Sequence, residues 1–182
     1  MQWSHKQWLT HTKPEADMKL RQLGIPLQYS IEIDGGSGSE VDSNSSIRLS
    51  PEDRLSKGWR DKSPIHLMLH ELAHVFFNKH VRKNHRVVDN PETRGLFGDL
   101  NKVYKRKPGP KKEQPFYYTK YAQSHPEEEF AEIFALYVEA DGDMRKLRHH
   151  LRLEGKAARV YKQVEWMDRL IRSVAGSRRT RT

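Results

Sequence analysis

SPIHLMLHELAHVFFNKH, residues 63–80, decides how this chain is read. Ser63 is a good N-cap and Pro64 suits the first helical position, so the stretch predicts a helix running to about Lys79. Inside it stands HELAH, residues 70–74. Residues four apart share a helical face, so His70 and His74 can offer imidazoles to one ion while Glu71, about 100° round, reaches a water beside it. Ile65, Leu67, Met68, Leu69, Leu72, Ala73, Val75, Phe76 and Phe77 make the helix apolar on most sides, which predicts burial. Two histidines and a glutamate buried without a strong partner would be costly. A metal ion supplies such a partner.

Composition narrows the metal chemistry. The 182 residues contain no cysteine, which excludes disulfides, a thiol nucleophile and thiolate ligation, so any Zn2+ must be held by His and carboxylate. The length and 35% apolar content suit one domain with a modest core, residues 1–175, followed by a basic C-terminal tail, residues 176–182. No apolar run is long enough to span a bilayer and the first ten residues hold no apolar leader segment, so the expected location is cytoplasmic.

Catalytic zinc has three protein ligands and one open position. His80 follows His74 by six residues, the outer spacing of a metzincin-like peptidase. That pattern needs glycine where this chain has Phe77, and phenylalanine avoids the positive φ of a sharp turn. The alternative is Glu128 in YAQSHPEEEFAEIFALY, residues 121–137, where Ser124 and Glu127 read as a capping box. Glu128 and Glu132 are four apart beside Ala131 and Ala135, so this helix can approach another closely. Glu128 could ligate while Glu132, one turn on, fixes the tautomer of a ligand histidine. Glu127 and Glu129 read as solvated first-turn charges, and His66 as a helix-surface histidine.

HELAH followed by Tyr121, Glu128, Phe130, Ala131 and Glu132 resembles the Y-x6-E-x-F-A-E block of lethal-factor-type zinc peptidases, and Pro-Pro endopeptidases carry a similar block. Both belong to the glutamate-zincins (gluzincins). The resemblance covers about 25 residues. It implies a zincin-like small domain, His70, His74 and Glu128 as zinc ligands, Glu71 as general base, Tyr121 near the oxyanion, and Glu132 behind a ligand histidine. Tyr117, Tyr118 and His125 are alternatives to Tyr121. Large substrate-recognition domains are not recognisable, so toxin biology and Pro-Pro specificity do not transfer.

Elsewhere, TKPEADMKLRQLGIP, residues 12–26, reads as a short helix with a Thr12–Glu15 capping box, stopped by Gly24 and Pro26. LQYSIEID and SIRLS read as strands of a small sheet or hairpin, with GGSGSEVDSNSS between them a flexible polar loop. Residues 81–123 show weak periodicity and include a basic stretch at 105–112 that reads as a substrate lid or connector. MRKLRHHLRL and AARVYKQVEWMDRLIRSV are amphipathic helices, and Gly142 helps end the helix before them. The fold class expected is α+β, mostly α, with a minor sheet and an HExxH helix.

The net charge of +9 fits an acidic peptide substrate as well as a phosphate backbone. No RNP-like motif or regular aromatic interleaving supports the latter. The reading is a zinc metalloendopeptidase acting on protein or peptide. Its alternatives are a basic nucleic-acid-binding or interaction module with a structural or vestigial zinc site, and a peptidase using His80.

Overall fold

The computed structural model describes residues 11–25, 27–33, 40–41, 46–49, 63–101, 116–119 and 121–179. The basic stretch at 105–112 lies outside these residues, as does the end of the C-terminal tail. In order come α1 (Lys13–Gln22), β1 (Ser30–Ile33), β2 (Glu40–Val41), β3 (Ser46–Leu49), α2 (Pro64–Phe76), a π-helical turn (Phe77–Val81), α3 (His85–Val88), α4 (Pro91–Phe97), a 3-10 turn (Tyr121–Gln123), α5 (Pro126–Glu139), α6 (Met144–Leu153) and α7 (Ala158–Arg179). The protein is mostly helical with one small sheet, and no helix among the described residues is long and apolar enough to cross a membrane.

The sheet is not a hairpin. Strand order is β1-β3-β2, with β1 parallel to β3, Ile31 opposite Ile47, and β2 antiparallel to β3. Part of the stretch expected to be a flexible loop therefore serves as an edge strand: Glu40 and Val41 pair with Arg48 and Ile47.

Helix α2 begins as its sequence dictates. Ser63 is extended, its Oγ accepts from the His66 N–H at 3.3 Å, and Pro64 occupies the first turn. Two other starts differ from expectation. Thr12 is itself helical and makes no side-chain cap, so the Thr12–Glu15 box does not form. At α5 the cap is His125, whose Nδ1 accepts from the Glu127 N–H at 3.2 Å, with Pro126 in the first turn. Proline at the first helical position fixes the cap one residue before it, which displaces Ser124 from that role.

Helix α5 is the centre of the molecule. Every residue from Glu128 to Val138 is buried, and its most extensive helix contact is with α2. Phe76 meets Phe134 at 5.0 Å between ring centroids, Phe77 meets Phe130 edge-on at 5.2 Å, and Phe97 meets Trp166 at 5.0 Å, so α2, α4, α5 and α7 share one aromatic core. Each such ring pair adds about 0.5–1.5 kcal/mol beyond its burial. Gly142, at φ 68°, reverses the chain after α5 and donates to the Tyr137 carbonyl at 3.0 Å. A Cβ there would stand 2.8 Å from the Tyr137 hydroxyl, so both conformation and space require glycine.

Residues 81–101 contain more order than their weak periodicity suggested. Asn90 caps α4 by accepting from the Glu92 N–H at 2.8 Å, with Pro91 behind it and Gly98 at φ 81° beyond. Helix α6 buries Leu147 and Leu151 and leaves Arg145, Lys146, Arg148, His149 and Arg152 exposed. Helix α7 continues to Arg179, past the start of the expected tail.

Candidate metal centre

The facing sides of α2 and α5 carry a polar seam through the apolar core. Ser63 pairs with Glu139, His66 with Glu139 and Glu132, His70 with Glu132 and Glu128, and His74 with Glu128 and Glu127. Rising numbers on one helix meet falling numbers on the other, so the two helices are antiparallel. The series His66, His70, His74 is the i, i+4, i+8 edge of α2.

At the middle of the seam three donor atoms converge. His70 Nε2 lies 2.9 Å from Glu128 Oε2 and 3.3 Å from His74 Nε2, and His74 Nε2 lies 3.6 Å from the same Glu128 oxygen. Bond lengths of 2.0–2.1 Å in a tetrahedral zinc site separate neighbouring donors by about 3.3 Å. The triangle therefore has the dimensions of three zinc ligands. Among the described residues this is the group of His, Asp and Glu side chains that could hold a metal ion.

Tautomers point the same way. His70 Nδ1 stands 2.9 Å from Glu132 Oε1, and His74 Nδ1 stands 3.3 Å from Glu127 Oε1. Carboxylates accept, so each Nδ1 carries a proton, which leaves each Nε2, facing Glu128, either to carry a second proton or to offer its lone pair to a cation. The space between them calls for positive charge, from ring protons or from an ion. The charges express the same demand. Burial alone would lower the pKa of His70, but hydrogen bonds and charges from Glu128 and Glu132 overturn it and raise the ring to about 9. Desolvation lowers the pKa of the His74 ring too, and Glu127 and Glu128 carry it up to about 10. Burial pushes the Glu128 carboxyl upward, yet His70 and His74 hold it well below its ordinary range.

Two of these partners were not expected. Glu127 is no solvated charge: besides His74 it accepts from Arg82 Nη2 at 2.8 Å. His66 is 2% exposed, not a surface histidine. Glu129 also departs from expectation, being 2% exposed and gripped by both terminal nitrogens of Arg159 at 2.5 and 2.8 Å. Desolvation pushes the Glu129 carboxyl up while the arginine fork pulls against it. The run of three glutamates was a signal for Glu127, since a ligand histidine needs an outer acceptor. No local pattern ties Glu129 to a residue thirty positions away.

Glu71 is buried beside His74, whose pKa its charge helps raise. Tyr121, half-buried at the start of the 3-10 turn, places its ring 5.5 Å from that of His70 at 61°. The turn is set by Thr119 Oγ1, which accepts from the Ala122 N–H at 3.0 Å. Of the alternatives, Tyr117 packs under the Arg159 guanidinium at 5.0 Å, Tyr118 faces His150 at 6.3 Å and lies near enough to Glu132 and Glu139 for their charges to act on it, and His125 caps α5. His80 sits on the π-helical turn with its ring 5.1 Å from Phe76, and Phe77 keeps a helical φ of −57°.

Residues 62–175, more than half of the chain, match a family model described as "Putative zinc-binding metallo-peptidase". The chain belongs to that family. The matched region begins at the cap of α2 and takes in α5, α6 and most of α7, so it contains the whole seam. No curated protein and no solved structure matches the chain. The cofactor is zinc, on the family's description and on a buried His-His-Glu group able to hold it. A metallopeptidase acts on protein or peptide, which is the substrate class that family membership gives.

Proposed function

We propose that the protein is a glutamate-zincin endopeptidase in which His70, His74 and Glu128 hold zinc, Glu71 is the general base, and Tyr121 steadies the oxyanion. The observation that carries this reading is the triangle of His70 Nε2, His74 Nε2 and Glu128 Oε2, closed to 2.9–3.6 Å by residues from two helices.

Held by His70, His74 and Glu128, zinc would supply Lewis acidity to a scissile carbonyl and acidify a water. Glu71 is adjacent in sequence to His70 and close enough to His74 to act on its charge, so its carboxylate can take the proton of that water. The same carboxyl then returns the proton to the departing amine nitrogen. The Tyr121 hydroxyl, carried beside the His70 ring, donates to the oxygen on which charge develops. Glu132 and Glu127 keep the Nδ1 protons of His70 and His74 in place, so that both Nε2 atoms would be available to bind the ion.

Glu71→Gln tests the mechanism. It removes the base while keeping the shape, so peptide hydrolysis should fall by about 10²–10⁴-fold with stoichiometric zinc retained. Wild-type turnover in that variant, measured on a peptide library, would refute the assignment.

A further inference from the structure

We propose that His66 is a positioning residue for the metal centre, holding Glu132 so that Glu132 can hold His70. This rests on the reading that His70 binds zinc. His66 lies one turn before His70 on α2 and is 2% exposed. Its ring stands between two carboxylates of α5: Nδ1 is 2.8 Å from Glu139 Oε2, and Nε2 is 3.5 Å from Glu132 Oε1. That Glu132 oxygen is the one 2.9 Å from His70 Nδ1. Glu139 Oε1 in turn accepts from Ser63 Oγ at 2.8 Å, and Ser63 is the cap of α2. A polar run therefore leads from the helix cap toward the candidate ligand, hydrogen-bonded at each step except the looser 3.5 Å ion-pair contact of His66 with Glu132.

The geometry gives this run a task. Glu132 is wholly buried, and a carboxylate can rotate and offer either oxygen. Carrying a proton on each nitrogen, His66 directs one N–H at each carboxylate and places positive charge beside Oε1, which favours the oxygen that His70 Nδ1 uses, and the aim of His70 Nε2 follows from the direction in which its Nδ1 is held. Glu139, at the more exposed end of α5, plays the same part for His66 from outside.

The experiment compares zinc affinity, by competition with a chelating dye, in wild type, His66→Phe, His66→Gln, Glu139→Ala and His70→Ala, together with the visible spectrum of each cobalt(II) form. His66→Phe should lose about 10–100-fold in zinc affinity with a shifted cobalt spectrum and an unchanged far-UV circular dichroism. His66→Gln, whose amide nitrogen can stand where Nε2 stands, should recover most of that loss. Glu139→Ala should show a smaller loss of the same kind. Should His66→Phe not fold, the other two variants decide. Wild-type affinity and spectrum in His66→Phe or Glu139→Ala, or no recovery in His66→Gln, overturns the role of His66 while His70→Ala still loses zinc. Wild-type zinc affinity in His70→Ala instead refutes the underlying site.

Discussion

Glu127 grips His74 from behind, its Oε1 3.3 Å from His74 Nδ1, while Glu128, its neighbour in the chain, faces Nε2 of the same ring at 3.6 Å. Consecutive residues of one helix turn thus take the two nitrogens of one imidazole. This is possible because both sit in the first turn of α5, where the exposed N–H groups and helix dipole favour carboxylates. Glu127→Ala should free the His74 ring and weaken zinc binding about tenfold. Arg82→Ala should do much less, because Arg82 is half exposed and its pair with Glu127 is screened by water. Chelator competition on both variants checks the order; equal losses would show that the arginine, not the ring contact, sets the carboxylate.

Glu128→Ala and His80→Ala separate the two possible third ligands. With Glu128 removed the triangle loses a corner, and zinc affinity should fall by more than about a hundredfold, beyond the effect of an outer partner. His80→Ala should leave zinc content unchanged and lower stability, since the ring packs on Phe76. Metal analysis after dialysis against weak chelator gives the answer, and retention by Glu128→Ala with loss by His80→Ala would reverse the assignment.

In the metal-free protein, stability should depend on pH in a defined sense. His70 and His74 are raised from an ordinary 6.5 to about 9 and about 10 on folding, so their protonated forms stabilise the fold fully below pH 6.5. That contribution is lost as pH rises through about 9 and 10. Glu128 is depressed, so its contribution is present above its ordinary 4.5 and lost as pH falls. Thermal denaturation of the metal-free form should therefore peak between these limits and decline on the alkaline side. Zinc should remove the alkaline decline, since it takes the place of the protons. Uptake at pH 7.5 should release about two protons per ion, measurable by calorimetry in buffers of different ionisation enthalpy.

The sequence made the helices of the site legible because their signals are local. Ser63-Pro64 marks the start of α2, the four-residue spacing sets His70 and His74 on one face, and Glu128 and Glu132 repeat that spacing on α5. What was hidden depends on contacts between distant segments. The pairing of His66 with Glu139 spans seventy-three positions, and nothing near either residue announces it. Parallel pairing of β1 with β3 was hidden for the same reason, since alternation shows that a strand exists but not which neighbour it takes. The cap of α5 was legible and misread: Ser124 fits a capping box, but Pro126 fixes His125 as the cap.

The Glu129–Arg159 pair should behave as a buried structural bridge, separate from zinc binding. Arg159 also donates to the carbonyls of Leu96 and Phe116, so it ties the segment leading to Tyr121 onto α4 and α5. Glu129→Ala leaves the guanidinium with lost compensation in a mostly buried place and should cost about 3 kcal/mol, read from urea denaturation. Replacing both partners, as Glu129→Met with Arg159→Leu, should recover much of that, because Gln163 Nε2 still donates to the Leu96 carbonyl at 2.8 Å. Zinc affinity should stay near wild type in both, since neither partner touches His70, His74 or Glu128. Turnover should fall in the double variant, where Tyr117 loses the guanidinium it packs against and the Tyr121 turn loses its anchor.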